Sequence, residues 1–251
     1  MRRRTFILAL IIALTTAVTT ARAFTDEEHR HLALHVFDTV VDRLDAVVTA
    51  ESLATICVRS SQGDLSKSRY QVRGWTPHQQ AKVIRDRLGD IAAHVMAQPP
   101  SDDTFPAYAD NVVANYLVYH AIAIRCAEES VRGAADNMPR TLPGHTEWIE
   151  RALVYEAVAL GYLADAFSSS HLLTPVHLPM ARLQDANVRA AHEFFATQGA
   201  YVSNSMGDVW RTFGDGLMTW YGPAYEYVLD ACTRSAQDLS LIHISEPTRP
   251  Y

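Results

Sequence analysis

The chain is poor in positive charge. Its 251 residues include 22 lysines and arginines against 28 aspartates and glutamates. Without the two chain ends, which carry five basic residues and one acidic residue, the 22 and 28 become 17 and 27, a net charge of −10 over residues 24–238. Such a balance argues against a basic surface that binds polyanions. Any chemistry on phosphate would therefore have to depend on metal ions.

Long apolar runs are also scarce, and the main one lies at the start of the chain. It covers residues 6–18, follows three arginines and precedes the small-residue stretch 21–23. The run is shorter than the ~20 residues that span a bilayer. The pattern predicts a secretory signal peptide over residues 1–23, cleaved before Phe24. The mature protein is then expected to be secreted or periplasmic, with no integral membrane anchor.

The other end of the chain has an unusual sequence. Residues 239–251 read LSLIHISEPTRPY and resemble the conceptual translation of a sequencing-library adapter. We expect this tail to be foreign and to pack poorly, because it did not evolve with the core. Native sequence is expected to have continued beyond Asp238. Residues 24–238 are then the expected domain, of a size that suits one hydrophobic core.

Cysteines are few, and none has the close spacing of a zinc knuckle. Cys57, Cys126 and Cys232 are an odd number for an exported protein. One disulfide is compatible with the sequence, Cys57–Cys126 being the first expectation. Three buried thiols are equally compatible.

Strand signals are sparse, and the fold is predicted to be an all-α, single-domain multi-helix bundle. A capping box from Thr25 to Glu28 marks the start of one helix. Further helices are predicted after Thr76 and Pro77, from Pro106, and over 144–167, 180–197 and 218–232. The main connections without a helical pattern are 59–74 and 204–215. Long loops of this kind are often functional.

The most informative stretch is GYLADAFSSSH, residues 161–171. Asp165 is expected in the last turn of a helix, and the serine run after it lets the backbone turn and bring His171 back beside the carboxylate. Carboxylate oxygen and imidazole nitrogen are both good zinc ligands. The pair taken alone is also compatible with an ordinary helix end followed by a surface histidine.

With its surroundings, this stretch resembles the secreted zinc-dependent phospholipase C and single-strand nuclease superfamily, whose helix carries H-x3-D-x5-H. Residues 190–216, AAHEFFATQGAYVSNSMGDVWRTFGDG, are similar to the second zinc segment of bacterial members, with His192 in the ligand place. The resemblance covers most of 24–238. It departs at Gly161, where the family has the first histidine, and at Ala196, where it has an acidic or amide ligand.

The resemblance implies the phospholipase C and nuclease type of helical bundle with up to three zinc ions. It implies that the freed amino group and carbonyl of Phe24 bind zinc together with His29. A core anchor at Phe24 and a solvated first-turn histidine at His29 are the alternative interpretation. Asp165, His171 and His192 then continue the ligand set. Asp165 is the best candidate for a carboxylate that bridges two ions, because it lies at a helix end.

The same resemblance implies a catalytic role for Asp64 in the loop QGDLS, as the residue that orients the attacking water. Glycine followed by an acidic residue is otherwise typical of a turn. One further histidine ligand is needed, and His78 and His120 compete for it. His120 is preferred because it follows Asn115 on a predicted helix and lies among apolar residues. A satisfied core histidine is the alternative interpretation of His120.

Two functions remain open from the sequence. The preferred one is a zinc-dependent phosphodiester hydrolase that uses metal-activated water on a phospholipid head group or a nucleic acid. The other is a metal-deficient, non-catalytic exported helical protein of the same fold, with a binding or structural role. Gly161 and Ala196 favour the second function, whereas Asp165, His171 and His192 favour the first.

Overall fold

The protein is mostly helical. A computed structural model describes residues 25–44, 46–61, 112–135, 143–174, 184–214, 216–218 and 222–245. Helices account for 80% of these residues, and one two-stranded antiparallel sheet accompanies them. The predicted helical character is therefore confirmed, with a hairpin added. No helix in this described part of the chain combines the length and the apolarity that crossing a membrane requires.

The described part of the chain contains seven helices and two strands. Some are joined by short connections, and others are separated by stretches outside the described residues. In chain order they are α1 Asp26–Leu44, α2 Ala50–Ser61, α3 Val112–Ala135, α4 Pro143–Ala166, α5 Ser169–Leu173, α6 Gln184–Gln198, β1 Ala200–Ser203, β2 Val209–Thr212 and α7 Gly222–Ser245. In the hairpin, Ala200 pairs with Thr212 and Ser203 pairs with Val209.

Helix α4 is the centre of the core. Its residues 155–162 are buried on every side, which is typical of a helix surrounded by other helices. It packs most extensively along α3 and also against α1, α2 and α7. Its last turn carries Asp165, which is 2% exposed. The end of the central helix therefore holds a carboxylate inside the protein.

The start of α1 is fixed by the predicted capping box. The Thr25 N–H donates to Glu28 Oε2 at 3.0 Å, and the Glu28 N–H donates to Thr25 Oγ1 at 3.2 Å. Glu28 Oε2 also accepts the Gly216 N–H at 2.8 Å, and Gly216 has a φ of +84°, which glycine adopts at low cost. This ties the first turn of α1, with the buried His29, to the loop before α7.

Helix α7 begins at Gly222 and continues to Ser245, whereas the sequence predicts a helix over 218–232. The expectation that residues from 239 onward pack poorly is wrong for Leu239 and Ser240, which are 0% and 3% exposed. Leu239 follows Cys232 by two helical turns, so helical periodicity carries it onto the buried face. Leu241 is 58% exposed, as a residue on the opposite face should be.

Helix α2 was not predicted, although Thr49 gives a local signal for it. The Ser52 N–H donates to Thr49 Oγ1 at 3.2 Å, which caps the helix start. The helices predicted after Thr76 and at the start of the Pro106 segment, and most of the connection 59–74, lie outside the described residues.

The three cysteines are buried free thiols, so the expected Cys57–Cys126 disulfide is wrong in this structure. Cys57 lies on α2, which packs mainly on α1 and α4, whereas Cys126 lies on α3. Burial raises the pKa of Cys126 to about 12, although the charge of Arg151 lowers it. Cys57 instead lies within electrostatic reach of Cys232 on α7.

Candidate metal centre

Four polar side chains with metal-binding atoms are buried in one region of the molecule. They are His29 of α1, Asp165 of α4, His171 of α5 and His192 of α6, and none is more than 3% exposed. Buried ionisable groups are costly unless they are paired or bind a metal. The arrangement of these four therefore needs a physical explanation.

His29 and Asp165 form the first pair. His29 Nε2 lies 3.2 Å from Asp165 Oδ1, and both side chains are almost completely buried. Burial lowers the pKa of His29, but hydrogen bonds with Asp165 and with Cys57 and the charges of these two groups raise it to about 10. The carboxylate thus favours a protonated His29 ring. A cation that bound to His29 Nε2 would displace that proton.

His171 and His192 form the second pair. Their ring centres are 5.2 Å apart, and the ring planes cross at 84°. Burial and then the charge of His171 lower the pKa of His192 to about 3, although the charge of Asp165 opposes the change. His192 is therefore neutral at physiological pH, as a metal-binding imidazole must be. The influence of Asp165 on His192 places the two pairs within electrostatic reach of each other.

The dimensions of each pair, taken alone, are compatible with two zinc ligands. Bonds of about 2.0–2.1 Å at tetrahedral angles place two ligand atoms about 3.3 Å apart and two ligand ring centres about 5 Å apart. The first pair has 3.2 Å between its atoms, and the second has 5.2 Å between its ring centres. Three imidazoles and a carboxylate are also a donor set that zinc accepts. Within the described residues, however, no group of three or more His, Cys, Asp or Glu side chains is placed so that it could hold a metal ion.

The chain between Asp165 and His171 turns as the sequence predicts. The Ser168 N–H donates to the Asp165 carbonyl at 3.0 Å, which ends α4, and Ser168 Oγ lies 2.6 Å from Ser170 Oγ. The short helix α5 then starts at Ser169 and carries His171 back into the core. Ser168, Ser169 and Ser170 are fully buried. Their small side chains allow the turn to be tight inside the core.

Helix α6 and the hairpin hold this turn in place. The Ser169 N–H donates to the Phe213 carbonyl at 3.2 Å, and Ser169 Oγ donates to the Phe195 carbonyl at 2.7 Å. The Gly214 N–H donates to the Ala196 carbonyl at 3.0 Å. The backbone of the second segment of the resemblance, 190–216, thus positions both His171 and His192.

His120 is not brought to this centre. Its Nδ1 lies 2.8 Å from Glu156 Oε2 and 3.2 Å from Ser235 Oγ, and its Nε2 lies 3.5 Å from Asp238 Oδ2. Glu156 precedes Asp165 by nine residues of α4, which corresponds to about 13 Å along the axis and a rotation of about 180°. His120 therefore belongs to a separate polar cluster between α3, α4 and α7.

Phe24, Asp64 and His78 lie outside the described residues.

The two positions that depart from the resemblance do lie at the centre. Gly161 is buried one turn before Asp165, and Ala196 is 2% exposed one turn after His192. Residues four apart lie on the same face of a helix, so both positions face the centre without contributing a ligand atom.

Sequence reasoning missed one residue at the centre. Cys57 of α2 is 0% exposed and lies within electrostatic reach of His29. The sequence indicates Cys57 only as a disulfide partner or a core thiol. No local pattern could reveal the contact, because it depends on how α2 packs against α1.

Comparison with known proteins provides no relative. No family model, curated protein or solved structure matches the chain. Membership of the zinc-dependent phospholipase C and nuclease superfamily therefore stays a prediction based on residues 161–171 and 190–216.

Proposed function

We propose that the protein is a secreted zinc-dependent phosphodiester hydrolase with the helical fold of the phospholipase C and single-strand nuclease type. His29, Asp165, His171 and His192 would hold the zinc. The observation that supports this most is the 3.2 Å between His29 Nε2 and Asp165 Oδ1, in a fully buried pair beside two further histidines. The net charge of −10 outside the chain ends also favours metal ions over basic side chains for phosphate chemistry.

Zinc, when bound, polarises phosphoryl oxygens and lowers the pKa of water from about 16 towards 7. Asp165 lies at the end of the central helix, next to His29 and within electrostatic reach of His192, so it is proposed to serve both pairs as a shared ligand. His29 would give up its proton as it binds. Asp64 is proposed to orient the attacking water, and Phe24 to add its freed amino group and carbonyl.

His120 is left out of the proposed ligands. Both of its ring nitrogens face carboxylates of another cluster, at 2.8 Å and 3.5 Å. His78 therefore becomes the preferred candidate for the remaining histidine ligand. The proposed substrate is a phosphodiester, either a phospholipid head group or a nucleic acid.

A non-catalytic exported protein with a binding or structural role is the second candidate. Gly161 and Ala196 both face the centre, and neither side chain can bind a metal. The described residues also contain no group of three or more His, Cys, Asp or Glu side chains that could hold a metal ion. In this candidate the His29–Asp165 ion pair is a structural contact between α1 and α4.

Metal content separates the two candidates. We expect the protein, exported by a bacterial host and purified without chelator, to carry at least about one zinc per chain. A chelator should abolish hydrolysis of a chromogenic phosphodiester, and added zinc should restore it. Asp165→Asn should weaken zinc binding more than about 100-fold, beyond the effect of changing a residue that only supports a ligand. Asp230→Asn, at an exposed position on α7, is the matched control and should leave zinc binding unchanged.

A folded wild-type protein without zinc and without diesterase activity would reject the hydrolase. The second candidate would then stand. Circular dichroism and thermal unfolding of Asp165→Asn establish whether that variant is folded before its zinc content is interpreted.

A further inference from the structure

One face of the β1–β2 hairpin is exposed to solvent. Exposure alternates along both strands, and the register pairs Tyr201 with Arg211 and Ser203 with Val209. Residues directly opposite each other in a sheet lie on the same side, so these four side chains form one outer face. Tyr201 and Val209 are 77% and 68% exposed there.

The turn of the hairpin adds a third exposed apolar side chain. Met206 is 84% exposed, and a Cβ on the neighbouring Gly207 would meet nothing within 4 Å, so the turn projects into solvent. The side chain of Asn204 holds the turn, because its Oδ1 accepts the Met206 N–H at 2.9 Å and the Asp208 N–H at 3.0 Å. Met206 is therefore presented to solvent by a hydrogen-bonded turn.

The opposite face of the hairpin is anchored to the protein. Trp210 stacks on Tyr227 of α7 with ring centres 4.2 Å apart, and Thr212 Oγ1 donates to the Phe167 carbonyl. These contacts keep the outer face directed away from the core. Single exposed apolar residues are normal, but several on one fixed and projecting element are typical of an interaction site.

The charged side chains of the hairpin are suited to a lipid head group. Residues 200–212 contain two of them, Asp208 and Arg211. Asp208 Oδ2 accepts a hydrogen bond from Asn204 Nδ2 at 2.8 Å within the turn. Arg211 lies on the outer face, with its guanidinium carbon 5.9 Å from the ring centre of Tyr201. An arginine beside apolar and tyrosine side chains can meet a lipid phosphate while its neighbours contact the acyl boundary.

The charge of the whole domain decides between the possible partners. Residues 24–238 carry a net charge of −10, which opposes binding to a nucleic acid and to an anionic membrane. A zwitterionic lipid surface has no net charge for an acidic protein to oppose. Its phosphate groups still offer an acceptor to the one cation on the outer face.

We propose that the outer face and the turn of the hairpin dock the protein on a zwitterionic phospholipid surface. Met206 and Val209 enter the acyl boundary, and Arg211 binds a head-group phosphate. This goes beyond the proposed function, because docking needs neither a metal nor hydrolysis. It also favours the phospholipid over the nucleic acid as the substrate.

The test measures sedimentation of the exported protein with sucrose-loaded phosphatidylcholine vesicles, with and without a chelator. Met206→Ser and Val209→Ser should each weaken vesicle binding about 10-fold, because each removes a large apolar side chain from the lipid contact. Val47→Ser, at a 75% exposed position between α1 and α2, is the matched control and should bind like the wild type. All three positions are exposed, so the variants should fold.

Two further measurements locate the contact. Arg211→Glu should weaken vesicle binding, because it places a negative charge against the lipid phosphate. Arg234→Glu, at an exposed position on α7, is its control and should change nothing. An environment-sensitive dye on Met206→Cys should shift its emission to the blue on vesicles, whereas the same dye on Val47→Cys should not. The three native cysteines are buried, which directs the dye to the introduced thiol.

The docking surface and the proposed function can fail separately. Wild-type protein that does not sediment with the vesicles rejects the docking surface, whatever its zinc content. Sedimentation that Met206→Ser and Val209→Ser leave unchanged places the lipid contact elsewhere and rejects it too. If the same variants instead lose binding to a single-stranded oligonucleotide, or lose a dimer seen by light scattering, a nucleic acid or a second copy is the partner. A zinc-free protein that binds vesicles through the hairpin rejects the proposed function and supports the docking surface.

Discussion

His120 of α3 and Glu156 of α4 form a pair in which Nδ1 and Oε2 are 2.8 Å apart and the glutamate is fully buried. Ser235 of α7 donates to the other carboxylate oxygen, Oε1, at 2.5 Å. Tyr116 and Asp238 complete the cluster, at 3.0 Å from Ser235 Oγ and 3.5 Å from His120 Nε2 respectively. One imidazole and one carboxylate thus join three helices of the core.

Glu156→Leu should destabilise the protein by about 3 kcal/mol, the usual cost of removing one partner of a buried ion pair. The change leaves His120 and Ser235 without their common acceptor. The free energy of unfolding, measured with urea, is the test. Glu147→Leu makes the same substitution at a glutamate that is 55% exposed and paired with Arg151. This control should cost less than about 1 kcal/mol, and equal losses at the two sites would contradict the prediction.

The stability contributed by His120 should depend on pH. Burial lowers the pKa of His120, but the hydrogen bond and charge of Glu156, and then Asp238, raise it above the ordinary 6.5. A raised folded-state pKa means that the contribution is fully present below pH 6.5 and is lost as the pH rises through the folded value. Tyr116, Glu156, Ser235 and Asp238 are the groups that face the ring.

The measurement compares the wild type with His120→Gln by urea unfolding at pH ~5.5, ~7 and ~9, which bracket the titration of histidine. The difference in free energy of unfolding should be largest at the lowest pH and smallest at the highest. A difference that does not change with pH would show that His120 contributes only packing.

The sequence could predict those features that depend on local patterns. The capping box of Thr25 and Glu28, the helix that ends just after Asp165 and the turn that brings back His171 all depend on neighbours a few residues apart. The close approach of His171 and His192 followed from the resemblance of two segments rather than from any physical pattern.

Features that depend on contacts between the surfaces of different helices could not be predicted. An apolar neighbourhood on α3 indicates that His120 is buried, yet it does not say whether the ring meets Glu156 or Asp165. Cys57 was missed near His29 for the same reason, because the two residues lie on different helices. The sequence of 204–215 shows no helical pattern. The strand Val209–Thr212 has only four residues, too few for an alternation of exposed and buried side chains to be recognised.

Gly161→His should strengthen zinc binding by about 10-fold, because it adds an imidazole one turn before Asp165 on the face that meets the centre. Gly161→Ala is the control, since it also removes the glycine from the helix but adds no ligand atom. Zinc affinity from chelator competition, with thermal unfolding to establish that both variants fold, provides the readout. An unchanged affinity in a folded Gly161→His protein would show that the site has diverged beyond this side chain.

Gly214→Ala should destabilise the protein by about 1–3 kcal/mol, the usual cost of overpacking a core. A Cβ at this position would lie 2.8 Å from Ser168 Oγ, 2.9 Å from Ser170 Oγ and 3.2 Å from Ala196 Cβ. The two hydroxyls are buried and hydrogen-bonded to each other at 2.6 Å, so displacing either one would disrupt that bond. Zinc affinity should fall as well, because the same turn carries His171.

Two comparisons test this explanation of Gly214. Gly222→Ala, at a position where a Cβ would meet nothing within 4 Å, should change the free energy of unfolding by less than about 0.5 kcal/mol. Adding Gly214→Ala to a Ser168→Ala, Ser170→Ala background should cost less than adding it to the wild type, because both hydroxyls are gone. Urea unfolding of the wild type, of Gly214→Ala, of the double serine variant and of the triple variant measures the difference in free energy of unfolding. An equal cost in the two backgrounds would place the strain in the backbone at Gly214 rather than in its contact with the serine turn.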